Sequence, residues 1–505
     1  MKIRRNFEWW LIALTVVYLA APTLVFFLSW LTPLVGIPAA TLLSLGVWKC
    51  LRDMPGDDPA ASGWSGRGIA IAGAAVVAFC WASLSGTGGR SYQNWDHLKH
   101  AGILKDLVFN MWPVRYDLPD KTVGLNYYIA FYLLPAIGGK ALGWNAANHL
   151  LFVYAFLGAF LSMLWFMVLA GRFSIALAVL FVFFSGQDIA GWFIHVGGIP
   201  PVSDEMLDWW ARGLCQYSSN TTLLFWVPQQ GIAGWLATAL VLHSAIHQRS
   251  SGSVVFYWSL TALWSPFVTI GLFPFVLLAG AATRGVGAKS FQNLAAGPVV
   301  LLIAVLYLMS NMHHSASAPG NGAESKDGFI WALQGYMDGK WPLLFLFYMI
   351  EFGAYMALTF SLQRPFSQQE RLSDDAPALP SEWWWATLIL LLLLPLYKLG
   401  TFSDLTMRAS IPALFVLGVI VARRIASAAS ISLRTAALTL LVLVGSITAC
   451  FEMQRASSNN MAFHIWIREA HTVESVPDMP AEFRTQYEGD TDSFFYKYLA
   501  ANWRN

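Results

Sequence analysis

Apolar runs approaching the roughly 20 residues that a bilayer crossing needs recur along the whole of this chain. Short polar stretches separate them and carry most of the charged residues. A chain patterned this way is an all-α polytopic membrane protein, and its composition agrees. Of 505 residues, 56% are hydrophobic and only 12% are charged, against roughly 25% charged in soluble domains. Many of the 24 Trp stand at the ends of apolar runs (Trp9, Trp10, Trp30, Trp48, Trp112, Trp226, Trp341, Trp383), as the aromatic belts of membrane proteins do. The net charge of +2 comes from basic residues in short loops and gives no footprint for nucleic acid. Four Cys, at 50, 80, 215 and 450, have no paired spacing and define neither a disulfide framework nor a zinc site.

The start of the chain, MKIRRNFEWW and an apolar run to Leu31, is too long in its apolar part for a signal peptide and has no A-x-A site. It reads as a retained first span with a positive, cytoplasmic beginning. A second span covers 34–48. Lys49, Arg52 and Arg67 keep the next loop inside, and a third span, 68–84, puts the loop 85–126 outside. Of the next three apolar runs, 125–142, 148–170 and 173–184, one has to be re-entrant or part of a broken helix, because later loops demand an even number of crossings. The loop 185–230, with Asp188, Asp204, Glu205 and Asp208, is then external. Residues 231–246 return, and 254–280 is interrupted by Trp264-Ser265-Pro266 and reads as a tight hairpin. Spans at 294–309, 342–362, 383–397, 411–421 and 437–450 bring the expected total to about thirteen. Residues 1–450 form the transmembrane domain, with external loops at 85–126, 185–230 and 311–340. Residues 451–505 form an external tail of mixed charge. There is no internal repeat, and no P-loop, dinucleotide-binding, H-E-x-x-H or G-x-S-x-G motif in a usable context.

The loop 85–126 is the first long polar interval. It opens on a glycine-rich turn (Gly86, Gly88, Gly89, Arg90). A helical period follows, with Leu98, Ala101, Leu104, Val108 and Met111 on one stripe and His97, His100, Lys105, Asp106 and Asn110 on the others. Ending at Trp112-Pro113, this segment is expected as an amphipathic helix in the interface plane. At its head Asn94-Trp95-Asp96-His97 sets a carboxylate beside an imidazole, close to Lys99 and His100.

This layout resembles the GT-C superfamily of membrane glycosyltransferases, which take a sugar from a polyprenyl-phosphate carrier. Asn94-Trp95-Asp96-His97 and its helix, then Trp112-Pro113, then LNYYIAFYLLPAIGGKALG from Leu125 to Gly143, are similar to the first external loop of that family. Ser403-Asp404-Leu405-Thr406-Met407-Arg408, before a span with Pro412, is similar to its placement of a cation near the carrier phosphate. The resemblance implies a many-spanning fold, a catalytic acid at Asp96, a polyprenyl-phosphate-linked sugar donor, and a lipid or glycan acceptor. The chain departs from it in having His97 where many members carry a second acid, and two spans before the span that leads to the loop where one is usual.

The chemistry can be argued from residue types alone. An acceptor hydroxyl or amine loses a proton as it attacks, and a carboxylate in reach can take it. The departing lipid phosphate needs a cation opposite it. Asp96 is the expected base. His97, Lys99, His100, Lys105 and Arg408 are the expected phosphate partners. Asp188, just past an apolar run, and Glu351, inside one, are further substrate-binding candidates. A divalent metal is compatible with this chemistry but not indicated, and no cofactor is expected. Each reading has a plainer rival: Asp96 as the N-cap of its helix, the histidines as interfacial groups, Arg408 as a snorkelling cation, Glu351 as half of an interhelical pair. Gln229-Gln230 reads as a turn and helix start, and Asn220-Thr221-Thr222 matches a glycosylation sequon. The expected setting is a bacterial inner membrane, with the site on the periplasmic face. Two alternatives remain: an O-antigen ligase- or polymerase-type transferase built on 311–340 around His313 and His314, and a lipid or polysaccharide transporter. Charges crowd into loops and leave Glu351 nearly alone in a span, which speaks against transport.

Overall fold

The computed structural model of the chain describes residues 7–54, 67–201, 206–247, 252–282, 289–311, 327–360, 379–400, 402–427, 432–458, 475–479 and 484–502. Its helices are α1 (Phe7–Trp30), α2 (Pro33–Arg52), α3 (Arg67–Leu84), α4 (Trp95–Phe109), α5 (Ala130–Leu142), α6 (Trp144–Ala170), α7 (Ile175–Phe183) and α8 (Asp188–Gly191). Then come α9 (Asn220–Trp226), α10 (Pro228–His247), α11 (Val254–Ser259), α12 (Pro266–Ala282) and α13 (Gly297–Met309). The last five are α14 (Trp341–Thr359, with a π turn at Met349–Gly353), α15 (Ser381–Leu393), α16 (Asp404–Ala409), α17 (Ile411–Ala426) and α18 (Leu433–Ser458). Among the described residues, eight helical segments are long and apolar enough to cross a membrane: α1, α2, α3, α6, Ile175–Val196, Gln292–Met309, α14 and α18. The chain is thus an all-α, multi-pass membrane protein. The other predicted crossings fall on α10, α11, α12, α15 and α17.

Two ends of the bundle can be told apart by packing. Glu8 starts α1 beside His243 of α10. Arg67 covers the ring of Phe173 there, and Arg423 donates to Leu169 O near the end of α6. At the other end Trp30 lies against Trp112, and Ala501 N–H donates to Trp30 O. Asp96 and the described part of the tail share this second end, opposite Glu8, Arg67 and Arg423.

Of the three ambiguous apolar runs, α6 crosses and Ile175–Val196 returns as a helix broken at Phe184–Gln187. The remaining run forms α5, which is not among the helices long enough to cross. It lies along α4, with Tyr132 on His100 at its start and Lys140 on Val108 O and Asn110 O at its finish. Its 13 residues span only about 20 Å, short of the roughly 30 Å of hydrocarbon. The predicted hairpin 254–280 is lopsided. The six residues of α11 reach about 9 Å, so its turn lies inside the bundle, where the buried Trp264 indole donates to Leu19 O.

Polar segments form a cap at the Asp96 end. β1 (Arg115–Asp117), β2 (Thr122–Leu125) and β5 (Glu488–Asp490) make an antiparallel sheet with Arg115 opposite Gly124 and Val123 opposite Asp490. β3 (Gly328–Phe329) pairs with β4 (Tyr397–Lys398). The expected domain boundary at 450 falls within α18, which runs on to Ser458, and the tail supplies a strand and the bridge from Ala500 to Leu31.

Candidate functional site

The glycine-rich turn after α3 is a geometric necessity. Gly86 and Gly88 have φ of 77° and 70°, and a Cβ on either would come within 2.4 Å of Tyr92 O or 2.3 Å of Asn148 O. The turn seats α4 against α6 and hands over to Asn94, the N-cap, whose side-chain oxygen accepts from Asp96 N–H while its amide donates to Phe225 O. Asp96 is therefore not the cap. It stands one residue into the first turn with a side chain 24% exposed, paired at 3.0 Å with Lys99.

α4 differs from the expected interfacial helix. His97, His100 and Asp106 are buried together with Ala101, Leu104 and Val108, while Met111 is exposed. The reason is that α5 and the tail cover what the sequence marks as polar faces. Asp106 accepts from Tyr116 Oη, Ser475 Oγ and Val476 N, and so ties α4 to the cap.

Arg408 comes to the same site from more than 300 residues away. It sits on α16, ion-paired with Asp404 at 2.9 Å as their one-turn spacing predicts. Its Nη1 donates to Tyr128 Oη at 3.0 Å, and the guanidinium covers the Phe267 ring. Its side chain is 18% exposed, and its Nε–H has no partner among the described residues. Gly271 of α12 permits this approach, since a Cβ there would come 1.9 Å from Ala409 O. Around the charges stand Tyr127, its ring tilted closely against Tyr128, with Tyr487 beyond it, and Tyr132 on His100. The electrostatics bind Asp96 and Arg408 into one unit. Burial raises the Asp96 carboxyl, but Lys99, His100 and Arg408 outweigh it and hold it below the ordinary carboxylate range. Burial likewise opposes the Arg408 charge, and Asp404, Tyr128, Tyr127 and Asp96 more than restore it.

Two of the expected phosphate partners are corrected. Burial lowers His97 to about 4, with His100 assisting, and burial lowers His100 as well. Burial therefore disfavours a charge on either ring. Each is also engaged: His97 Nε2 with Ser85 O and Phe225 O, His100 Nε2 with Trp226 O and Nδ1 with Tyr132 Oη at 2.5 Å. They lock α4 to α9 and α5. Lys105 is nine residues beyond Asp96 and so on the opposite face of α4. Of the expected partners, Lys99 and Arg408 remain at Asp96.

The buried His97 makes stability depend on pH. An unfolded imidazole takes up a proton near pH 6.5, while the folded one resists to about 4. This contribution is therefore complete above about pH 6.5 and is lost as pH falls toward 4, on the order of 3 kcal/mol in all. Melting temperature measured from pH 7.5 to 4.5 should fall, and His97→Gln should flatten the fall. An unchanged slope in the variant would assign it to other groups.

Asp188 and Glu351 are brought together, but away from Asp96. Asp188 sits just after the break in Ile175–Val196 and accepts from Ser185 Oγ and Thr448 Oγ1 at 2.7 and 2.8 Å. Glu351 lies in the π turn of α14 and accepts from Trp210 Nε1 at 2.7 Å. Asp208 accepts from Ser219 N and Thr222 Oγ1, and Glu452 from Trp226 Nε1 and Arg455. All four carboxyls are buried, and Arg455 pairs with Glu452. Burial, then Asp188 and Glu452, push the Asp208 carboxyl well up. The picture of Glu351 nearly alone in its span is thus corrected: it belongs to a cluster assembled from α8, α14, α18 and the segment before α9. Glu351→Gln keeps an acceptor for Trp210 and should melt within a few degrees of the parent. Glu351→Leu strands that buried indole and should cost about 1–3 kcal/mol by thermal unfolding.

Tyr128, Tyr132, Tyr487 and Phe267 at the first site, and Asp208, Glu452 and Arg455 at the second, are not singled out by spacing in the sequence. Tyr127-Tyr128 carried the one usable signal, an aromatic pair at the start of an apolar run. Gln229 and Gln230 stand at the start of α10, as expected, and are fully buried there. Asp204, Glu205, His313 and His314 lie outside the described residues. Comparison with known protein families, with curated proteins and with solved structures finds no match to this chain.

Proposed function

We propose that this chain is a membrane glycosyltransferase of GT-C-like architecture, moving a sugar from a polyprenyl-phosphate donor to a lipid or glycan acceptor. The observation that carries the reading is that Asp96 and Arg408 stand within electrostatic reach of one another in one partly exposed, tyrosine-lined site at one end of the bundle. The carboxylate can accept the acceptor's proton as it attacks the sugar, while the guanidinium and Lys99 meet the charge growing on the departing phosphate. An arginine suits this task because its fork matches phosphate oxygens. In this reading the end that carries Glu8, Arg67 and Arg423 is cytoplasmic and the Asp96 end periplasmic, in a bacterial inner membrane. The test is transfer by the purified chain from a panel of radiolabelled polyprenyl-phosphate sugars. Transfer from at least one, lost in Asp96→Asn, is the expected result; no transfer from any sinks the reading.

The cluster of Asp188, Asp208, Glu351 and Glu452 favours a second reading, a transporter of lipid or polysaccharide coupled to cations or protons. Acids inside spans commonly serve such coupling. Flux of substrate in proteoliposomes that responds to a pH gradient and stops in Glu351→Gln would select it over transfer.

A further inference from the structure

We propose that the end of the bundle opposite Asp96 carries a binding site for a zinc-class divalent cation, built from Glu8, His243 and His247. The three offer one ligand atom each, all within 4.8 Å of one another, and among the described residues no other His, Cys, Asp or Glu group of three or more meets this condition. His243 and His247 stand one turn apart on α10 and so share a face. Glu8 arrives from the first turn of α1.

The separation of the His243 and Glu8 ligand atoms suits a tetrahedral ion. Zinc bonds of about 2.0–2.1 Å at the tetrahedral angle place neighbouring ligand atoms roughly 3.3–3.4 Å apart. His243 Nε2 and Glu8 Oε2 are 3.3 Å apart. The second imidazole is already oriented. His247 Nδ1 lies 3.1 Å from His243 O, and a carbonyl can only accept, so Nδ1 carries the proton and Nε2 keeps its lone pair. A ring fixed through its other nitrogen by a backbone carbonyl is the usual support of a metal-bound histidine. Trp165 sets its ring edge to face against His243 and holds that side chain in place. The Glu8 side chain is 40% exposed, which leaves an open side for entry and for water as a fourth ligand.

The ligand set chooses among cations. Two imidazoles and one carboxylate suit a borderline ion such as zinc, cobalt or nickel, whereas calcium and magnesium demand an oxygen cage. Arg67 and Arg423 lie within electrostatic reach of Glu8 and His247, which weakens any purely ionic site and further favours directed nitrogen bonds. A bound ion would staple α1 to α10, independently of any chemistry at Asp96.

The experiment uses the full chain in detergent, purified without a polyhistidine tag and stripped with chelator. Zinc alone should bind at one ion per chain in calorimetry and raise the melting temperature. Cobalt alone should give the strong visible absorption of a tetrahedral site. The double variant His243→Gln/His247→Gln should lose stoichiometric binding, the cobalt band and the melting shift. Glu8→Gln, which keeps an acceptor for His243 and should melt like the apo parent, should weaken zinc at least tenfold. No stoichiometric binding by the parent, or binding undiminished in Glu8→Gln and in the double variant, overturns the site and leaves a histidine–carboxylate hydrogen bond.

Discussion

Asp96→Asn should lower sugar transfer by at least about a hundredfold while leaving the fold intact. The two halves of that expectation have separate grounds. Stability should hardly move, because Asn94 and not Asp96 caps α4. What the substitution removes is a partly exposed ion pair with Lys99, worth about 0–1 kcal/mol, and a negative charge near a helix N-terminus, worth about 0.3–1 kcal/mol. Asparagine also fills nearly the same space. Reactivity should collapse, because an amide cannot take a proton from an attacking hydroxyl. Asn94→Ala supplies the contrasting control: it deletes the cap and the bond to Phe225 O, and should destabilise by about 0.5–2 kcal/mol without removing the base. The measurements are turnover at saturating donor and a melting curve for each variant. An Asp96→Asn protein that transfers at the parent rate would end the assignment, and one that fails to fold would mean that the carboxylate holds the site together.

How much of this was legible beforehand depended on whether local sequence or distant packing decided the outcome. Apolar runs of spanning length and the arginines between them are local properties, so the membrane class and the two ends of the bundle could be read off directly. The one-turn spacing of Asp404 and Arg408 was equally local, and the ion pair formed as expected. Burial of a polar side chain is a tertiary property. Nothing in the period of α4 says that α5 will lie along it, so His97 and His100 read as interfacial phosphate partners, whereas in the structure they are buried struts between α4, α5 and α9. Spacing also hides helix breaks. The interruption at Phe184–Gln187 and the π turn around Glu351 aim their carboxyls at one another from helices far apart in sequence, which made two scattered acids into a cluster of four. The tail reads as a separate external segment because it is polar, but a polar segment is the proper partner for backbone groups at the end of a bundle, and Glu488–Asp490 pairs with β2 there.

Arg408→Ala should weaken binding of the lipid-linked donor by ten- to over a hundredfold, the equivalent of one charged hydrogen bond of about 1.5–3 kcal/mol. The structure separates this effect from a loss of stability. Asp404 is 27% exposed, so water can replace the guanidinium at its carboxylate, and Tyr128 loses only one hydrogen bond. Arg408→Lys makes the argument sharper. An ammonium keeps the positive charge that opposes the phosphate and steadies Asp96, but it lacks the planar fork and the stacking on Phe267. It should therefore recover part of the affinity, with the remaining deficit measuring the fork. Tyr128→Phe tests orientation in turn: it leaves the charge and removes the hydroxyl that holds Nη1, so KM for the donor should rise less than in Arg408→Ala while kcat changes little. The readout is donor KM or Kd for each variant beside its melting temperature. Normal donor binding in an Arg408→Ala protein that melts early would make the arginine a structural link between α16 and α5, and Lys99 would then be the cation left to face the phosphate.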